Sequence, residues 1–172
     1  DRTLVPKYRN YSSWTVNISA NPTQIKTAGG SSAITASAVR NVYINGELQG
    51  TATGTVSLSS DNPAFVITGT TVRVSENTTT STRSANITAS CGGVTNSVTL
   101  TQPGRKETYV FTIDGGTSVN GTFESSGGTA KYTIVSQKTI VIDGNSTTVQ
   151  ANWSSSWNTS SFGSLGNDGT LI

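Results

Sequence analysis

The sequence predicts an all-β protein built as two β-sandwiches in tandem, the second lacking its closing strands, and three observations lead there. The composition suits sheets: Thr, Ser, Gly, Asn and Val dominate the 172 residues, Met and His are absent, and charged residues make up 12%. β-Branched Thr and Val fit a half-buried pleated surface, Gly and Asn supply turns, and helix formers never recur at a helical spacing. Next, residues 23–46 and 121–144 echo each other at one constant offset. Gly29-Gly30 falls on Gly127-Gly128, Thr35 on Thr133, and Ile44-Asn45-Gly46 on Ile142-Asp143-Gly144 without a gap. A period of roughly 100 residues belongs to tandem domains rather than to a solenoid. Finally, the same offset sets Gly169-Thr-Leu-Ile172 on the segment that ends at Val74, so the first copy's Arg83–Gln102 stretch has no counterpart in the second.

Each element has its own local reason. Trp14-Thr-Val-Asn-Ile-Ser19 alternates apolar and polar side chains, as a strand with one buried face does, until Asn21-Pro22 breaks it. Ile25 lies in the extended stretch before Ala28-Gly29-Gly30-Ser31, a turn whose glycines accept positive φ. Ala33 to Ile44 is long enough for one bent strand or two short ones, and it ends at Asn45-Gly46, a strong hairpin signal. Thr55–Ser59 and Ala64–Thr68 flank an Asp61-Asn62-Pro63 turn; Thr71–Val74 follows, then a polar run to Thr80. Arg83–Ser90 and Val94–Gln102 form a hairpin about Gly92-Gly93, with one irregular step at Asn96. Gln102-Pro103-Gly104-Arg105-Lys106 reads as a boundary. Tyr109–Ile113 then matches the Trp14–Ile18 strand, and the Gly-Gly turn and Asp143-Gly144 hairpin recur before Thr147–Asn152. The organisation expected is an N-terminal extension or linker over 1–10, a sandwich over 11–104 and an incomplete sandwich over 105–172.

Several function classes recede. A net charge of +2 with scattered Lys and Arg lacks the basic stripe that nucleic acid requires. No apolar run approaches the ~20 residues of a membrane span. Without His, a Ser or Cys nucleophile lacks its usual base. Asp61, Asp114, Asp143 and Asp168 all stand in predicted turns, where a carboxylate bonds local backbone. No enzyme, cofactor or metal site is expected. Cys91, the sole cysteine, reads as an inert small residue beside a hairpin turn.

Three segments carry a family resemblance: Val72-Arg-Val-Ser-Glu-Asn77, Thr82-Arg83-Ser-Ala-Asn-Ile-Thr-Ala89 and Ser97-Val-Thr-Leu-Thr-Gln102. An Asn, a Thr-rich bend, an Arg opening a strand and a closing V-T-x-T-Q strand resemble the ending of BACON and related bacterial immunoglobulin-like repeats of Bacteroidetes and their crAss-like phages. Residues 29–40 are similar to the front half of those modules. The resemblance implies immunoglobulin-like sandwiches and a non-catalytic structural or adhesive role on an extracellular surface, a cell surface or a virion appendage. The partners expected are other copies or other domains of the same appendage, met through sheet edges.

Two candidate sites remain. Trp153 and Trp157, with Asn158, form an aromatic cluster whose ring faces could stack on sugars, making a carbohydrate-binding module the alternative function; the competing reading places these rings in a sandwich core, as expected of Val56, Leu58 and Phe65 in the first copy. The open second copy is expected to be continued by further chain, closed by fewer strands, or completed in trans by β-augmentation. For the last case the segment with Leu4, Val5 and Tyr8 is the candidate strand donor.

Overall fold

In the computed structural model, residues 7–113, 130–131, 133–153 and 170–171 are described. They fall into two compact units, the first ending at Arg105 and the second beginning at Lys106. Every regular element among them is a β-strand.

The first unit is organised around one long strand. β1 (Arg9–Tyr11) and β2 (Thr15–Asn21) precede β3 (Gly30–Ile44), which is followed by β4 (Glu47–Thr53), β5 (Ser57–Ser60), β6 (Phe65–Thr68), β7 (Thr71–Val74), β8 (Arg83–Cys91) and β9 (Val94–Gln102). β3 pairs antiparallel with β1 and β2 along one edge, and with β7 and β4 along the other. β6 extends this sheet beyond β7, and β5-β8-β9 form a second, three-stranded sheet. The hairpins form where the sequence places them. Asn45 and Gly46 adopt φ of 53° and 85°, and Gly92 and Gly93 adopt 57° and 81°, so both central residues are left-handed, as the right-handed twist of the flanking strands demands. Gly29 has a second reason to be glycine: its φ is 99° and a Cβ there would lie 2.7 Å from the Val74 carbonyl oxygen.

The two sheets of this unit enclose Ile25, Ile34, Phe65, Val72, Val74, Ala85, Ile87 and Leu100. Val16, Ala38, Ala89 and Cys91 continue that core, with Trp14 and Val56 packed against them. Phe65 is buried and Leu58 half-buried, which agrees with the inward orientation expected of this stretch. Asn96 accounts for the irregular step in β9: it occupies an inward position, and its Nδ2 donates across the sandwich to the Val16 carbonyl at 2.9 Å.

The second unit repeats the first sheet. β10 (Lys106–Ile113), β12 (Ile134–Ile142) and β13 (Asn145–Gln150) stand in the order β10-β12-β13, while β11 (Ala130–Lys131) pairs with β14 (Thr170–Leu171). Phe111 faces Ser136 as Val16 faces Ala38. The Ala151 amide donates to the Ser136 carbonyl as Gly54 does to Ala38, both at 2.9 Å. Asp143 and Gly144 take φ of 48° and 87°, reproducing the Asn45-Gly46 turn. β11 and β14 pair where the repeat sets the β3–β7 ladder. Among the described residues nothing corresponds to β5-β8-β9. The face of β10 and β13 equivalent to the covered face of the first unit shows Tyr109 at 63%, Phe111 at 47% and Val149 at 42% exposure, against 5% for Val16.

The N-terminal segment differs from a free extension. Tyr8 exchanges bonds with Asn45, its amide donating to Asn45 Oδ1 and its carbonyl accepting from the Asn45 amide, both at 3.0 Å. Arg9–Tyr11 then pairs with Val42–Ile44 of the same chain. Residues 9 and 10, expected from sequence in an N-terminal extension or linker, pair with the sheet. Their partner is their own β3, whose edge beyond Thr15 would otherwise be unpaired. Leu4 and Val5 lie outside the described residues.

Candidate functional site

Buried polar side chains tie the closing strand of the first unit to its neighbours. Gln102 ends β9 at 0% exposure. Its Nε2 donates to the carbonyls of Lys26 (2.9 Å), Thr27 (3.2 Å) and Ser75 (2.9 Å), and its amide oxygen accepts from Arg83 Nε at 2.7 Å. Arg83 Nη2 reaches on to the Ser75 carbonyl at 2.8 Å. Asn77 is 1% exposed; its Nδ2 donates to Ser81 and Pro103 carbonyls at 2.9 and 3.1 Å, and its Oδ1 accepts from the Thr79 hydroxyl at 2.8 Å. These are the Asn, Arg and Gln of the closing motif, and each bonds loop backbone through its side chain. Asp61 works in the same way, accepting from the Asn86 amide (2.8 Å) and Nδ2 (2.9 Å).

A different cluster sits at the end of the first sandwich. Alternate residues of β3 share a face, so Arg40, Val42 and Ile44 continue the inward row of Ile34, Ala36 and Ala38. Ala38 packs with Ala89 and Cys91, after which the β8–β9 hairpin turns, and Arg40 is the next residue on that face. Its guanidinium lies 3.8 Å from the Tyr11 ring centroid and 4.4 Å from that of Trp14. Register makes this sandwich: β1 sets Tyr11 opposite Val42, diagonal to Arg40, and Trp14 stands one residue before the Thr15–Val39 pair. Trp14 is half-buried, and its ring closes on Gly54 and Gly92; a Cβ at Gly92 would come within 2.3 Å of it. Cation–π contacts of this kind contribute about 0.5–2 kcal/mol each. Tyr11 remains 44% exposed. The Arg40 Nε is buried without a hydrogen-bond partner, and Arg40 has no ion pair among the described residues.

The second unit holds the matching pair. Lys138 falls on Arg40 and Tyr109 on Trp14, with Lys138 Nζ 5.7 Å from the Tyr109 ring centroid. Here the cation is neutralised, because Glu107 Oε1 lies 3.1 Å from Lys138 Nζ and Glu107 Oε2 accepts from the Tyr109 hydroxyl at 2.9 Å. In strand register the place of Glu107, opposite Ile140, is taken by Tyr11, opposite Val42; Ser12 comes next in the chain. Its hydroxyl accepts from the Asn41 amide at 2.8 Å and donates to the Ser13 carbonyl.

Of the residues singled out in sequence, Trp153 follows β13 and is half-buried. Trp157 and Asn158 lie outside the described residues, as do Asp114 and Asp168. Cys91 is a free, buried thiol at 7% exposure. Among the described residues no His, Cys, Asp and Glu side chains gather as a metal site, and no helix is long and apolar enough to cross a membrane. The Tyr11–Arg40–Trp14 stack was not foreseen. Its members lie far apart in the chain, and only the β1–β3 and β2–β3 registers bring them together.

Comparison with known proteins bears on the first unit. No curated protein and no solved structure matches the chain. The family model described as "BACON: Putative binding domain, N-terminal" matches residues 49–103, the span that contains Asn77, Arg83 and Gln102. The match therefore lies within the first unit, where Asn77, Arg83 and Gln102 form an internal brace.

Proposed function

We propose that this chain is a non-catalytic structural or adhesive part of an appendage on an extracellular surface, a cell or a virion. The observation that carries this reading is the reuse of one sheet plan in both units, beside a match to a binding-domain family. The distinctive polar residues of that module, Asn77, Arg83 and Gln102, are engaged with backbone. Such a module holds its shape and presents surfaces. The surfaces are sheet edges, such as the outer edge of β4, and the apolar face of β10 and β13. Other copies or other domains of the same appendage are the partners in this reading. Immunogold labelling of intact cells and virions of the source, with an antibody raised against the first unit, tests it. Decoration of an outer surface is the expected result; label confined to the cytosol contradicts it.

A further inference from the structure

We propose that β13 is a contact between copies of this chain, pairing antiparallel with β13 of a second copy about a two-fold axis at Thr148. This rests on the reading above, in which copies meet through sheet edges, and it names the edge and its occupant. β13 pairs with β12 along one side, and all of its residues are exposed. The Ala151 amide bonds the Ser136 carbonyl, and backbone bonds alternate along an antiparallel ladder. Ser146, Thr148 and Gln150 therefore turn their amides and carbonyls away from β12, where no described residue bonds them. Such a row of unpaired groups is a template for another strand.

Charge and register select the strand's own copy as the occupant. Asn145–Gln150 contains neither Pro nor a charged residue, so no like charges meet when it lies against itself. β10, the other edge of the same sheet, carries Lys106 and Glu107. β4, the counterpart of β13 in the first unit, begins at Glu47 and is bulged near Gly50, whose φ is 141°; a bulge bends an edge away from a straight partner. The ladder between β12 and β13 runs without a register shift. Thr108, Thr139 and Thr148 stand directly opposite one another across β10, β12 and β13, and the Thr139 and Thr148 hydroxyls are 3.1 Å apart. With Thr148 opposite its own copy, this row runs on through both sheets, and Thr–Thr pairs stabilise a sheet. In that register Ser146 meets Gln150 and Thr147 meets Val149. A contact of one short strand is small, so the dimer depends on concentration.

The test is sedimentation equilibrium of the full chain across a wide concentration range, with each variant checked for folding by circular dichroism. A reversible dimer is expected. Thr148→Lys sets two ammonium groups opposite each other on an exposed strand and should weaken the dimer at least tenfold. Thr51→Lys, at the matching place in β4, should leave it unchanged. Directly opposed α-carbons of a bonded pair lie about 5.5 Å apart, within reach of a disulfide, so Thr148→Cys should cross-link two copies on mild oxidation. In Ser146→Cys the two thiols stand roughly 13 Å apart along the ladder and should stay free; the native Cys91 is buried. A monomer at every concentration, a dimer indifferent to Thr148→Lys, equal weakening by Thr51→Lys, or equal cross-linking of Ser146→Cys overturns the contact. Each of those results leaves the surface location, read by immunogold labelling, standing.

Discussion

Replacing Gln102 with Leu isolates the brace that closes the first unit. The substitution keeps roughly the side-chain volume and removes four hydrogen bonds: three from Nε2 to Lys26, Thr27 and Ser75, and one accepted from Arg83 Nε. Each of the three carbonyls keeps another donor, from Gly29, Asn77 and Arg83 respectively, so none is orphaned. A neutral bond of this kind contributes about 0.5–1.5 kcal/mol and a charge-assisted one about 1.5–3 kcal/mol. The buried Leu returns about 1–2 kcal/mol of apolar transfer. The net loss expected is about 2–5 kcal/mol, a large share of the ~5–15 kcal/mol that holds a typical domain. Cys91 gives an assay specific to the first unit, since it is the chain's only thiol and is buried there. Pulse labelling with a thiol reagent across a urea gradient should show the midpoint falling sharply in Gln102→Leu. An exposed control, Thr95→Val, should stay within about 0.5 kcal/mol of wild type. A Gln102→Leu midpoint indistinguishable from that control would refute the reasoning.

Three further outcomes are expected. Gly92→Ala forces a side chain into Trp14 at a residue with φ of 57°, so it should cost about 1–3 kcal/mol and shift the emission of Trp14; an unchanged melt would remove Trp14 from that contact. Asn45→Ala combines a left-handed φ with loss of the Tyr8 bond and should cost about 1–2 kcal/mol, with faster amide exchange in Arg9–Tyr11. Gly144→Ala at the matching turn should cost about 1–2 kcal/mol in thermal melts, because a Cβ disfavours its φ of 87°.

The turns were the most legible part of the fold, since Asn45-Gly46, Asp143-Gly144 and Gly92-Gly93 each carry a backbone requirement that few residues meet. β2, β7, β8 and β9 followed from alternation, because one face of each meets the core. β4 was harder to delimit: Glu47–Thr53 is an edge strand exposed at all but one position, so burial leaves no period in its sequence, and a bulge shifts its register near Gly50. β1 was hidden for a related reason. Its pattern is wholly exposed, and it exists by pairing with the far end of a 15-residue β3. Asn77, Arg83 and Gln102 were visible as motif letters, but their shared task required the loop over residues 75–82 to fold back on β9. The stack at Arg40 depends on two ladders at once. No window along the chain contains that information.

The account rests on β10-β12-β13 being the same device as β2-β3-β4, in the same register. Nuclear Overhauser contacts between α-protons of directly opposed residues measure this. Val16–Ala38 and Phe111–Ser136 are the diagnostic pairs, both at positions where the opposed residues do not exchange backbone bonds and their α-protons lie closest. Strong α-proton contacts in both pairs are predicted. A contact from Ser136 to Tyr109 or Ile113 in place of Phe111 would mean a different register, and the second unit would not be a copy of the first.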